Sequence, residues 1–354
     1  MSIALKKILF IIPSLRAGGA ERITSIYATH LDRKKYEIVV AVVNGKDPFF
    51  ELPSDVKIID LKKGSVTAAT LSIVRSINNE RPNIVISMIT HLNALVGACS
   101  PLYRSKPKLI LRETNVLSNL FGDAMSFKRK MRYKITKFGY GRADSILCQS
   151  HFMAKDVQSN LGIPKQNCVV IHNPVAPAKS DGSIEKFDLV ALGNLSPIKG
   201  YERLINVMHR LKDTKLKLAI IGEGSERNKI ENQIKTMDLE QQVILLGFQK
   251  EPHRYLMGAK ALVMTSIKES FSNAVLEAGI VGTPTVTYNM PGGMSEIIEN
   301  GVNGYIVDDG DEVALSNAIK NIITDPIDRA SITKYTEERF TLNTIMSQVE
   351  NRLL

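Results

Sequence analysis

Short apolar runs recur along this chain, separated by longer stretches in which apolar positions fall three or four apart. Residues 8–12, 37–43, 56–59, 84–87 and 109–111 read as buried strands, and 145–148 and 168–171 continue the series. Strands that alternate with helical stretches imply a parallel sheet covered by helices. Asn173-Pro174 breaks the pattern, and residues 176–186 have the composition of a linker. The scheme then restarts, with strands expected at 187–192, 216–221, 243–246, 261–264 and 285–287.

At 354 residues the chain exceeds the usual size of one core. The expected fold class is therefore α/β, with two Rossmann-like domains facing each other across a cleft. The boundaries fall at 1–178 and 186–336. Residues 337–354, with Ile345, Val349 and Leu353 at helical spacing, are expected to pack back on the first domain. Ligands of such sheets bind at the carboxyl ends of strands, so the cleft is the expected active site.

Charge changes this picture by separating the halves. Residues 1–180 hold 27 Lys and Arg against 12 Asp and Glu, a net of +15, whereas residues 181–354 hold 19 against 24, a net of −5. A basic half suits nucleic acid, an anionic membrane surface or a phosphorylated substrate. Residues 124–143 concentrate the effect: they carry seven Lys and Arg and no acid, while Met131, Ile135 and Phe138 recur at helical spacing. This is a basic amphipathic helix, which either packs by its apolar stripe or lies on a membrane surface. No stretch is long and apolar enough to span a bilayer, so membrane contact is expected to be peripheral. Cys99, Cys148 and Cys168 are widely spaced with no CxxC pair, which fits a reducing cytosol better than a disulfide framework or a zinc site.

Candidate chemistry gathers after strands. Gly18 and Gly19 follow the first strand and open a helix, a place where backbone can approach a phosphate closely. Neither this turn nor Gly222-Glu223-Gly224 carries GxGxxG, which disfavours a nicotinamide enzyme. Lys199, just before Gly200, is placed to reach a ligand phosphate. Between Lys268 and Ala278 the chain reads KESFSNAVLEA, with Glu269 and Glu277 flanking an expected helix start near Ser272. Amides at that start form a natural phosphate seat, and the two carboxylates could take hydroxyl-rich groups on either side. Taken singly, each feature also fits an ordinary strand-to-helix turn or a solvated side chain.

The order and spacing of Gly18-Gly19-Ala20-Glu21-Arg22, His172-Asn173-Pro174-Val175, Leu192-Gly193, Lys199-Gly200, Gly222-Glu223-Gly224, Leu246-Gly247-Phe248, the Glu269/Glu277 pair and Glu338-Arg339-Phe340 resemble glycosyltransferase family 4. That family comprises retaining nucleotide-sugar enzymes of the two-Rossmann GT-B fold. The resemblance implies that Gly19 borders the donor diphosphate and Lys199 binds its phosphates. It also implies that Glu269 holds hydroxyls of the donor sugar and Glu277 the ribose. Amides around Phe271 and Ser272 would take the diphosphate, and Gly247 and Phe248 would border the base. Gly18, Asn194, Gly222, Gly224 and Ser270 complete the expected donor-binding set. Similar enzymes commonly carry an Arg where this chain has Asn194, and Arg203 or Arg254 are the candidates to compensate. Glu113 stands where similar enzymes have a His, and His91 is the other candidate to face the acceptor hydroxyl. The expected catalytic set is thus Glu269, Lys199, Glu113 and His91.

The implied reaction moves a hexose or N-acetylhexosamine from a nucleotide diphosphate sugar, with UDP the expected nucleotide, to a hydroxyl of a polyprenyl-diphosphate-linked or surface-polysaccharide acceptor. No metal and no further cofactor are expected, since Lys199 and the helix start can stabilise the leaving group and no Asp-x-Asp motif occurs. The enzyme is expected in the cytoplasm, on the inner membrane face through residues 124–143. Two other readings remain: a GT-B-like nucleotide-sugar epimerase, and a basic peripheral protein bound to membrane or nucleic acid. The basic stretch lacks the interleaved aromatics usual for nucleic acid, so no nucleic-acid partner is expected.

Overall fold

The computed structural model describes residues 5–121, 126–177 and 185–353. Within it the chain forms two compact units, Met1–Asn173 with Ile345–Leu354, and Pro174–Thr344.

The first unit runs β1 (Lys6–Ile12), α1 (Gly19–His30), β2 (Tyr36–Val42), β3 (Lys57–Asp60), α2 (Val66–Glu80), β4 (Ile84–Met88), α3 (Thr90–Ala98), β5 (Lys108–Arg112), α4 (Phe127–Tyr140), β6 (Ser145–Cys148), α5 (His151–Leu161) and β7 (Cys168–Val170). Its seven strands are parallel in the order β3-β2-β1-β4-β5-β6-β7. Ile8 to Ile12 are fully buried because the sheet is covered on both faces, and this explains why β1 is an unbroken apolar run.

The second unit runs β8 (Leu189–Leu192), α6 (Tyr201–Arg210), β9 (Leu218–Ile221), α7 (Arg227–Thr236), β10 (Val243–Gly247), α8 (His253–Gly258), β11 (Ala261–Met264), α9 (Asn273–Ile280), β12 (Thr285–Tyr288), α10 (Met294–Ile297), β13 (Gly304–Val307), α11 (Glu312–Thr324) and α12 (Arg329–Phe340). Its sheet is parallel in the order β10-β9-β8-β11-β12-β13. The order in which strands are added reverses across β1/β4 in one sheet and across β8/β11 in the other, and in open α/β sheets the crevice at such a switch point is where ligands bind.

Most expected strands are present, with ends shifted by a residue or two. Phe187 and Asp188 stay outside β8, and β13 is an addition to the expected set. Its sequence, Gly-Tyr-Ile-Val, lies at the sheet edge and is only half-buried past its first residue, so the apolar signal is weak. The units part at Asn173/Pro174, a few residues before the expected linker, of which 178–184 lie outside the described residues. The expected terminal segment 337–354 is divided: α13 (Leu342–Leu353) starts in the second unit, and from Ile345 onward it belongs to the first. There Glu350 pairs with Lys35 at 2.7 Å, and the Arg352 carbonyl accepts from Lys108 at 2.8 Å.

Helix α4 occupies most of the expected basic stretch, capped by Ser126, whose hydroxyl accepts from the Arg129 amide. It packs on α3 through small residues. A Cβ at Gly97 or Gly139 would overlap backbone of the other helix, so glycine at both is what lets the two cross so closely. Its buried side is therefore Thr136, Gly139 and Tyr140. The apolar stripe is only about half covered: Met131, Ile135 and Phe138 are 46%, 45% and 54% exposed. No helix among the described residues is long and apolar enough to cross a membrane.

Candidate active site

In the second unit, two loops at the switch point are stitched together. The first leaves β8 at Gly193, turns through Pro197–Lys199 and enters α6; the second leaves β11 and enters α9. The Ile267 amide donates to the Ile198 carbonyl at 2.8 Å, and the Thr265 hydroxyl to the Gly200 carbonyl at 2.8 Å. Gly200 holds φ 62°, and a Cβ there would overlap the Thr265 carbonyl oxygen, so this close approach requires glycine. The consequence is that Lys199 and Glu269, far apart in sequence, form an ion pair, and Glu269 Oε1 also accepts from the Ser266 hydroxyl at 3.2 Å. Both side chains remain partly accessible at the carboxyl ends of the strands.

The α9 start has the expected position, with Ser272 preceding Asn273. Ser272 does not cap it: its hydroxyl points to Met264 Sδ at 3.5 Å. Glu277 lies in the second turn, 6% exposed. Phe271 is buried against Phe340, ring centroids 5.8 Å apart, so Phe340 of the Glu338-Arg339-Phe340 motif braces the helix entrance.

The remaining donor-set residues frame the same edge. Gly222 and Gly224 pack against the Gly193 and Leu195 carbonyls, where a Cβ would overlap. Asn194 is exposed, Gly247 has φ 72°, and Phe248 stands 55% exposed beyond it. Of the two candidates to compensate for Asn194, Arg203 pairs with Asp309 and lies 4.2 Å over the Tyr288 ring, and Arg254 pairs with Glu185.

Sequence reading missed a brace behind Glu269. The Glu269 amide donates to the Pro291 carbonyl at 3.2 Å, and the Gly293 amide to the Ser270 carbonyl at 3.0 Å. Gly292 has φ 140°, and a Cβ there would overlap the Glu269 carbonyl oxygen. Asn289-Met290-Pro291-Gly292-Gly293 was the available signal, a turn composition beside a strand. Gly292→Ala is expected to lower stability by about 1–3 kcal/mol through backbone strain and to misplace Glu269. Donor turnover should fall about 100-fold. Thermal unfolding read beside nucleoside diphosphate release checks this, and an unchanged midpoint with unchanged turnover refutes it.

In the first unit, Gly18 and Gly19 open α1 after β1, as expected, with Gly18 extended at the N-cap and Gly19 exposed. Ile89 holds φ 78°, uncommon for a β-branched residue, and so turns the chain from β4 into Thr90 and His91 at the start of α3. His91 is exposed, while desolvation by the surrounding protein and the charge of Arg132 lower its pKa below the ordinary imidazole value. Glu113 departs from expectation. It is fully buried, and Oε1 accepts from the Thr90 hydroxyl at 2.6 Å and the Thr114 and Asn115 amides at 2.8 Å each, while Oε2 accepts from Tyr140. Burial raises its pKa against the pull of these donors. A carboxylate so enclosed cannot touch an acceptor hydroxyl. It joins the α3 start, the loop after β5 and the end of α4.

Two family models divide the chain between them: Glycosyltransferase Family 4 matches residues 17–179 and Glycosyl transferases group 1 matches 177–339. The chain is a family 4-like glycosyltransferase. Among curated proteins, this glycosyltransferase is 24% identical to the amylovoran biosynthesis glycosyltransferase AmsD of Erwinia amylovora over 85% of its own length and 86% of that protein's. It is also 24% identical to the N-acetylgalactosamine-N,N'-diacetylbacillosaminyl-diphospho-undecaprenol 4-alpha-N-acetylgalactosaminyltransferase of Campylobacter jejuni, over 91% of each chain. Its fold matches Anabaena HepE in complex with UDP, with TM-score 0.81 and 20% identity over 98% of this chain and 99% of that one. Sucrose-phosphate synthase of Thermosynechococcus elongatus matches with TM-score 0.83 at 15% identity, over 98% of this chain and 98% of that one. The glycosyltransferase therefore has the GT-B fold. Among its described residues no group of three or more His, Cys, Asp and Glu could hold a metal ion.

Proposed function

We propose that this glycosyltransferase moves a hexose or N-acetylhexosamine from a UDP-sugar to a hydroxyl of a polyprenyl-diphosphate-linked or surface glycan, retaining the anomeric configuration. The Lys199–Glu269 pair at the β8/β11 switch point carries the reading. It sets a cation for phosphate beside an anion for sugar hydroxyls, next to a helix start whose amides favour negative charge. Lys199 and Glu269 neutralise each other across their ion pair. An arriving donor exchanges that pair for two: diphosphate oxygens meet Lys199, and sugar hydroxyls donate to Glu269. As the glycosidic bond breaks, charge grows on the departing diphosphate, and Lys199 with the α9 amides stabilises it in place. Glu277, inside the helix, takes the ribose hydroxyls. UDP and UDP-glucose in the HepE structures, and a diphospho-undecaprenol acceptor in the name of the Campylobacter jejuni relative, support the choice of donor and acceptor classes.

The deciding experiment screens nucleotide sugars for nucleoside diphosphate release with and without polyprenyl-diphosphate-linked acceptors, and reads the anomeric configuration of the product by NMR. Release that needs an acceptor, with a retained anomer, supports the proposal. Consumption of UDP-N-acetylglucosamine with no acceptor favours the epimerase reading instead.

Glu277→Ala removes a hydrogen bond to a charged acceptor, worth about 1.5–3 kcal/mol, so kcat/KM for the donor should fall roughly 10–100-fold. An unaltered value at low donor concentration would remove the ribose assignment. Chelation with EDTA should leave turnover unchanged, since Lys199 supplies the countercharge. Strict dependence on added magnesium contradicts that division of work.

A further inference from the structure

A single residue, Ile89, separates the end of β4 at Met88 from the start of α3 at Thr90. So short a connection concentrates the whole turn in one place, and Ile89 takes φ 78° and ψ 131°. The other non-glycine residues with positive φ among the described residues are Asp, Lys and Arg at φ 45–57°. Ile89 is β-branched and lies outside the small left-handed region, where glycine is at ease and isoleucine is an outlier. Backbone strain of this kind disfavours a turn by a factor of about 5–150 and lasts only where the surroundings hold it.

The holding groups lie on the first turn of α3. The Ile89 carbonyl accepts from the Asn93 amide at 2.9 Å, and the buried Asn93 side chain donates to the Arg112 carbonyl at 2.8 Å and the Tyr140 oxygen at 3.1 Å. Thr90, also buried, donates to Glu113 at 2.6 Å and accepts from the Asn115 side chain at 3.0 Å. These bonds fasten the helix start to β5, to the loop after it and to α4. What the fastened turn presents is His91. It stands exposed in a cavity of about 850 Å³, which Asn115 also lines, and among the described residues neither of its ring nitrogens is hydrogen-bonded.

We propose that Ile89 is a positioning residue for the acceptor: its strained turn, locked by Thr90 and Asn93, sets the His91 imidazole against a hydroxyl of the acceptor glycan, which the ring orients by accepting its hydrogen bond. This rests on the glycan-acceptor reading above and names the side chains that would hold the glycan on the first unit. Neutral imidazole is the form that can accept. Desolvation and Arg132 lower the His91 pKa below its ordinary value of 6.5. Lys128 and Arg129 line the same cavity from α4 with charge of the same sign, while Cys99 lines it from α3 and Glu113 lies behind Thr90. The neutral ring therefore predominates at neutral pH.

The test follows the His91 ring by NMR titration, its resonance being the one lost in His91→Gln, and acceptor glycosylation by steady-state kinetics, all in the full chain. Thr90→Val keeps the shape of the side chain and removes its hydrogen bond, so Ile89 relaxes. The His91 pKa should then return toward 6.5. In the same variant kcat/KM for the acceptor should fall about tenfold, within the range that the strain sets, with KM for the nucleotide sugar unchanged. Ile89→Gly added to Thr90→Val should restore both the pKa and the turnover, because glycine holds this turn without strain. In a His91→Gln background Thr90→Val should cost nothing further, since residues that act through one group are not additive. His91→Gln should also abolish the acid limb of acceptor turnover below pH 6.5. Thermal unfolding shows that each variant keeps its fold. Additive losses from Thr90→Val and His91→Gln, no rescue by glycine, or full acceptor turnover in Thr90→Val overturns the proposal. If the unaltered chain glycosylates no acceptor while NMR shows the His91 change in Thr90→Val and its reversal by glycine, the acceptor reading fails and the strained lock on His91 stands.

Discussion

Lys199→Ala should lower kcat/KM for the nucleotide sugar by about 100- to 1,000-fold, the usual loss when one preorganised donor to a developing anion is removed. The size follows from placement. The turn at Pro197–Lys199 is tied to the loop after β11 by Ile198 and Gly200, so the ammonium is held beside Glu269 in the loop that leads into α9. Removing it also leaves Glu269 facing the incoming diphosphate with no countercharge, a like-charge contact that disfavours donor binding on its own. The Lys199→Ala, Glu269→Gln double variant should therefore bind UDP more tightly than Lys199→Ala alone, while sugar transfer stays impaired because the sugar hydroxyls have lost their acceptor. Steady-state kinetics with UDP titration calorimetry distinguishes these. A double variant no better than the single one shows that the ion pair does not organise this site.

Glu113→Ala should destabilise the first unit by about 2–5 kcal/mol, since buried donors left without an acceptor cost about 1–3 kcal/mol each. Thr90, Tyr140 and two amides would lose their acceptor together. Glu113→Gln should cost far less: its carbonyl can keep the Thr90, Thr114 and Asn115 bonds while its amide donates to the Tyr140 oxygen. Denaturant unfolding checks both values. The same pair separates positioning from proton transfer, because a base would be lost in the Gln variant. Retained turnover in Glu113→Gln supports positioning, and abolished turnover with an intact fold refutes it. The pH dependence has a definite sign. The folded-state carboxyl titrates above its ordinary value of 4.5, so the folded protein binds the proton more tightly than the unfolded chain. Stability from this group is fully present below 4.5 and declines as pH rises through the folded pKa. The Gln variant should lack that decline.

Much of this was readable from residues alone. Parallel strands covered on both faces must be continuous apolar runs, so β1, β4 and β11 announce themselves, and glycines that end strands mark where the backbone must turn sharply. The pairing of Lys199 with Glu269 was not readable, because it depends on two loops stitched across the switch point of the sheet. Gly292 was overlooked for the same reason: its obligation comes from the Glu269 carbonyl, far away in sequence. Helix α4 shows another limit. Periodicity marks Met131, Ile135 and Phe138 as one stripe whether that stripe faces protein or solvent, and only the Gly97/Gly139 contact fixes which side is buried. Glu113 is the converse case, a charged residue type that gives no sign of burial until Tyr140 and Thr90 are placed beside it.

The division of α13 has a consequence for how the protein is made. The first unit includes residues from Ile345 onward, so its fold is complete only after every residue of the second unit has been synthesised. At about 5–20 residues per second that interval lasts roughly 10–30 s, during which the earlier part of the first unit waits without Glu350 beside Lys35 or the Arg352 carbonyl beside Lys108. The second unit, contiguous in sequence, can finish first. Ribosome-bound nascent chains should thus reach a protease-resistant second unit before the first, reversing the amino-to-carboxyl order in which domains usually mature.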